Sequence, residues 1–170
     1  MLTLTDLAAL EAAVLACRPE AAGLFRPGLS PQRLEDVAAA AGVRLTDEAR
    51  VWWTWHDGSA PATLPGVEHL SFAEAVGKRD FLGQLATQVS AGSALWHPAW
   101  LPLFETGVDT FVVDCSGAPE APSPLRRVDF ETGSQERIEY PSMGACIVEI
   151  TEAVRERLTY DHELHRWTGR

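Results

Sequence analysis

A histidine and an aspartate stand side by side in "WWTWHDG", residues 52–58. His56 has the side chain of a general base, and Asp57 has a carboxylate that could orient one. Working His–carboxylate pairs are assembled in three dimensions, however, and adjacent residues on a helix do not face each other. No GxSxG elbow supplies a nucleophile to go with them. Asp57 followed by Gly58 therefore reads as a turn or cap, and no residue is assigned a catalytic role. His162 and His165, in "DHELH", are three apart, with Asp161 and Glu163 beside them. On a helix that spacing could present two metal ligands. The pattern is not HExxH and lies in a polar end, so a solvated terminus is preferred and no metal is expected. Cys17, Cys115 and Cys146 are odd in number and lack CxxC spacing. They read as buried reduced thiols rather than as a disulfide framework or zinc site. Neither GxGxxG nor GK[ST] occurs, so no nucleotide cofactor is expected.

Carboxylates offer a different chemistry. Glu105, Asp109 and Asp114 gather around "WLPLFETGVDTFVVDC", and Asp129, Glu131, Glu136 and Glu139 around "VDFETGSQERIEY". Strand alternation could place several on one face. They have two readings: a solvated face that guards sheet edges, or a surface that receives a basic protein, with Glu105, Asp109, Asp114, Asp129 and Glu131 as its residues. The chain has 24 acidic and 14 basic side chains, a net charge of −10. That balance argues against direct binding of nucleic acid or of an anionic membrane. It suits a basic protein partner, and it also maintains solubility. Trp96 and Trp100 bracket "HPA"; core or sheet-edge packing is preferred over an interface role.

The elements that must position these residues are legible from caps and periodicity. A first helix starts at Thr3 or Thr5, carries Leu7, Leu10, Val14 and Leu15 on one side, and ends by Pro19. Ser30-Pro31 opens a second, stopped by Gly42. Thr46 caps a third, in which Asp47 and Glu48 complement the positive end of the helix dipole, and Asp57-Gly58 ends it. On a helical wheel Val51, Trp52, Trp53, Trp55 and His56 share a broad apolar side; Trp52 lies near its middle. Trp53, at the margin, is the one expected to keep an exposed edge. "SFAE" has capping-box spacing and opens a helix running towards Val89, interrupted near Gly77. "WLPLFET" and "TFVVDCS" form one hairpin, "LRRVDFE" and "QERIEY" a second. Ser142 starts a last long helix with Met143, Ile147, Ile150, Val154 and Leu158 along one side. The end, "TYDHELHRWTGR", is expected to be loosely attached. Helices, then an antiparallel meander, then a helix make an α+β fold, with helices packed on an antiparallel sheet. The start, "MLTLTDLAAL", does not read as a signal peptide, and no run is long enough for a membrane helix, so a reducing cytoplasm is expected.

This order, with "LTDEARVWWTWHDG", "EHLSFAEAV" and "WLPLFETGVDTFVVDCSG", resembles the SUKH superfamily. The superfamily includes the fungal Smi/Knr cell-wall-assembly regulators and many bacterial toxin-immunity proteins. Trp52, Trp53, Trp55, His56, Asp57, Gly58, Trp100 and Pro102 carry the likeness as structural positions. The resemblance covers residues 28–158; residues 1–27 are then a helical extension packed on the domain, and 159–170 a polar tail. Lys78 is the only lysine, and arginine and alanine abound, as in GC-rich bacterial genes. The resemblance implies an α+β fold, no enzyme activity, and occlusion of a cognate polymorphic toxin, often a nuclease. A regulatory scaffold of the Smi/Knr kind is the alternative within the family, and a small hydrolase with an unrecognised site the alternative outside it.

Overall fold

Local capping chemistry sets the helix starts in the computed structural model, which describes residues 1–89, 96–107, 109–128 and 137–169. Helix α1 (Leu4–Cys17) begins with a reciprocal box: the Thr3 hydroxyl accepts the Asp6 N–H, and the Asp6 carboxylate accepts the Thr3 N–H. A 3-10 turn over Pro19–Gly23 leads to strand β1 (Phe25–Pro27). Helix α2 (Pro31–Ala40) is capped by the Ser30 hydroxyl, which accepts the Arg33 N–H, and ends before Gly42 at φ +62°. Helix α3 (Asp47–Trp55) stops two residues sooner than expected. His56 is already extended, and strand β2 (His56–Ser59) pairs antiparallel with β1. Gly58 has φ +88°, and a Cβ there would lie 2.7 Å from the Ser71 nitrogen. Only glycine fits, on both counts.

Strand β3 (Glu68–His69) leads into helix α4 (Phe72–Val89). The expected Ser71–Glu74 box is present in both directions, at 2.8 and 3.2 Å. The helix runs through Gly77 without a break. Strands β4 (Trp100–Glu105), β5 (Thr110–Asp114), β6 (Leu125–Val128) and β7 (Ile138–Tyr140) follow. With β3 they form one antiparallel five-stranded sheet in the order β3-β4-β5-β6-β7. Pro102 sits at a register shift in β4, a place where the lack of an N–H is tolerated. Helix α5 (Met143–Glu156) starts at Ser142, whose hydroxyl accepts the Ala145 N–H.

The fold is α+β. The sheet face carrying Leu101, Val113 and Leu125 buries against Leu7, Leu10 and Val14 of α1, Trp52 and Trp53 of α3, and Met143 and Ile147 of α5. Alternation along the strands turns Trp100, Val112 and Val128 to the other face, where they cluster with Trp96. Helix α4 packs against β4, and Trp96 lies against its Gly83.

The polar end is not loose. Strands β8 (Leu158–Asp161) and β9 (Arg166–Gly169) form a hairpin. Tyr160 is buried beneath the Arg18 guanidinium, 4.1 Å from its ring centre. The Trp167 indole donates to the Ala62 carbonyl at 3.0 Å. Burying a large side chain contributes about 1.5–3 kcal/mol, enough to fix a hairpin that strand pairing alone leaves marginal. Leu158 consequently belongs to this hairpin and not to α5.

Candidate functional site

Of the three clustered tryptophans, Trp52 and Trp53 are fully buried and Trp55 is half-buried. Trp52 meets Phe104 edge-on at 5.3 Å. Trp53 meets Phe72 at 5.0 Å, and its indole donates to the Leu70 carbonyl at 3.3 Å. The expectation of an exposed Trp53 is therefore wrong. A wheel assumes a core on one side only, whereas the start of α4 and the Gly28–Leu29 segment close over the margin of α3. Trp55 keeps the exposed edge, and its indole donates to Glu11 at 3.1 Å.

Because His56 and Asp57 lie on a strand, their side chains go to opposite sides. The His56 ring stacks on Phe25 at 4.6 Å, with Nδ1 3.0 Å from the Arg26 carbonyl and Nε2 3.5 Å from Glu11. Asp57 accepts the Phe72 N–H at 2.7 Å, at the positive end of α4. The pair that looks catalytic in the sequence is thus split between two structural tasks. Next to it sits His69, 2% exposed, tilted on Trp52 at 4.5 Å and without a hydrogen-bond partner for either ring nitrogen. Burial, then the nearby positive charges of His56 and Arg26, push His69 down to about 3, so it is held neutral.

The acidic hairpin residues are engaged within the chain. Glu105 pairs with Lys78, Asp109 with Arg127 at 2.7 Å, and Asp114 with Arg126 at 2.9 Å. Asp109 and Asp114 are buried, and Glu105 is half-buried. Burial alone would raise the Asp114 carboxyl, but hydrogen bonds from Ser116 and Arg126 outweigh it and hold the group below its ordinary value. Arg126 also covers the ring of Trp100, 5.3 Å away. Glu139 pairs with Arg137. Asp129, Glu131 and Glu136 lie outside the described residues. A cleft of about 310 Å³ opens beside Glu68, Glu105 and Trp167. Glu68 and Glu105 face each other across β3 and β4, where Lys78 offsets their repulsion.

Metal-type residues are dispersed. His162 and His165 fall in the β8–β9 turn rather than on a helix, and His162 lies 3.3 Å from Glu20. Among the described residues, no group of three or more His, Cys, Asp or Glu is placed to hold a metal ion. The cysteines form no disulfide, and burial pushes the Cys146 thiol up to about 12.

Glu48 has a role that sequence reasoning missed. Beyond complementing the dipole of α3, it is 1% exposed. Its carboxylate accepts backbone N–H groups from Leu2, Ser123 (2.6 Å), Met143 (3.4 Å) and Gly144 (3.2 Å). A signal existed: Glu48 stands four residues before Trp52 and so shares its buried face. Asp47, one position earlier, is exposed and pairs with Arg50. Glu48 binds the starts of α1 and α5 together. Gly144 allows the same approach, since a Cβ there would lie 2.9 Å from the Met1–Leu2 backbone. The two helices therefore begin side by side and run in the same direction, with Asp6 and Ala9 of α1 flanking a groove of about 190 Å³ against Val148, Thr151, Glu152 and Arg155 of α5.

No protein-family model matches the chain, and no curated protein matches it.

Proposed function

We propose that this chain is a non-enzymatic protein-binding domain of the toxin-immunity type, acting in the cytoplasm by seating on a basic toxin domain and covering its active cleft. Charge carries the reading: a net −10 on 170 residues gives a field that attracts a basic cleft and speeds encounter. The resemblance of the Trp-rich helix and the first hairpin to the SUKH superfamily supports it. So does the structural employment of the groups that could have done chemistry, with His56 on Arg26 and Asp57 on the α4 start. The mechanism needs complementarity only, one domain per toxin, with no bond made or broken. Among the described residues, no helix is long and apolar enough to cross a membrane.

The direct experiment mixes the purified chain with the basic protein encoded beside it in its native genome. A one-to-one complex by calorimetry, weakening as salt rises, together with loss of the toxin's activity, is the expected result. No complex, accompanied by a turnover in a broad hydrolase screen that His56→Ala removes, would replace this reading with an enzymatic one.

A further inference from the structure

We infer that strand β3 is an acid-released strap: a proton taken up by His69 lifts Glu68–His69 off β4 and opens the cleft beside Glu105 and Trp167, while the rest of the sheet stays paired. This device is independent of what the chain binds.

His69 is the fastener. Strand β3 is the outermost of the five and two residues long, with Glu68 opposite Glu105 and His69 opposite Phe104. Alternation turns Glu68 outward and His69 into the core. The His69 ring lies against Trp52 at 4.5 Å and parallel to Trp55 at 6.2 Å, and neither nitrogen has a partner. Neutral, it fills an aromatic box. Protonated, it carries two N–H donors and a charge with no acceptor, which a dry interior does not tolerate. The surrounding elements offer no compensation. Helix α3 presents Trp52 and Trp55, and β4 presents Phe104. Arg26 of β1 and a protonated His56 of β2 add only positive charge. The nearby carboxylates are engaged elsewhere: Glu11 of α1 with His56 and Trp55, Asp57 with the Phe72 N–H, and Glu74 with Arg26. Glu68 and Glu105 turn to the other face, beside Lys78.

Little else holds the strap. Two register pairs join β3 to β4, against five between β4 and β5. The preceding loop is fixed at its far end, where the Ala62 carbonyl accepts from Arg18 at 2.7 Å and from Trp167 at 3.0 Å. Between that anchor and β3 stands Gly66, at φ +70° with open space around it, a pivot for the segment. Ala62, Leu64, Gly66, Val67 and Glu68 form one wall of the 310 Å³ cleft, so lifting the strap widens it.

Amide hydrogen exchange on the full chain, followed by NMR, tests the strap. The Leu70 N–H, bonded to the Leu103 carbonyl at 3.2 Å, reports the seating of β3; the Asp114 N–H, bonded to the Pro124 carbonyl at 2.9 Å, reports the sheet interior. At about pH 7, Leu70 should be protected at least about tenfold less than Asp114. Corrected for intrinsic exchange, its protection should fall about tenfold per unit between about pH 6 and pH 4, because the lifted strand binds the proton and the seated one does not. In His69→Phe, which keeps an aromatic filler, that protection should not change with pH. Equal protection of the two amides means that β3 leaves only with the whole fold, and overturns the inference. A pH slope that survives His69→Phe overturns it too. Were that variant unable to fold, the two amides of the native chain still decide.

Discussion

The carboxylates of the sheet and those of the α1–α5 face are the same chemical groups in different company. In the sheet, Asp109 and Asp114 lie on β5 or at its start, and each reaches an arginine of β6. The register places Arg126 opposite Val112 and Arg127 opposite Phe111, so both pairs are diagonal, a reach that long side chains make easily. Glu105 finds Lys78 from α4. On α5, Glu149 accepts from the Tyr140 hydroxyl at 3.3 Å, and Glu152 lines the groove beside Arg155. Acidity counted along a chain therefore does not measure acidity offered to a partner. The sheet's acids are buried or half-buried and hold strands together, whereas Glu149 and Glu152 stand exposed on α5.

Glu48, at the base of the helix face, should give the largest effect. Glu48→Ala strands several backbone N–H groups in the interior and should cost about 3–5 kcal/mol in denaturant unfolding, with Glu48→Gln costing less because it keeps an acceptor. Next comes acid. His69, on the edge strand of the sheet, titrates near 6.5 when unfolded and at about 3 when folded. The unfolded chain binds the extra proton, so stability is full above 6.5 and falls by up to about 1.4 kcal/mol per pH unit down to about 3. A pH series of unfolding curves should be flatter across that window in His69→Phe. Asp114→Ala should cost about 1–3 kcal/mol at neutral pH, through the orphaned Arg126 and Ser116. Its wild-type carboxyl is held low, so its contribution is present above about 4 and is lost only as pH falls through the folded value. Smallest is the double reversal Glu149→Lys, Glu152→Lys, which should change stability by less than about 0.5 kcal/mol in the same assay.

Caps were the most readable part of the sequence, with Thr46 the exception: its hydroxyl bonds the Ser123 hydroxyl at 2.6 Å and caps no N–H of α3. Thr3, Ser30, Ser71 and Ser142 each cap as their neighbours imply, because capping is decided within four residues. The first hairpin was readable for the same reason, its strands being adjacent in the chain. What was not readable depends on residues far apart. Trp53 is covered by the segment from Leu70, Glu48 is satisfied by three distant segments, and Trp167 is fixed by Ala62. The candidate site followed the same division. Sequence pointed to the hairpin acids because they cluster locally, but their arginine partners come from the next strand. The α1–α5 groove joins helices from the two ends of the chain, and no local pattern announces it.

The bonds of Glu48 span 46, 75, 95 and 96 positions along the chain. Such an acceptor cannot be filled until the first helix, the loop before β6 and the last helix have all arrived, after the costly closures are complete. Its contribution should therefore fall on the rate of coming apart rather than on the rate of assembly. The carboxylate would then set the lifetime of the native state, with little influence on how quickly it is reached.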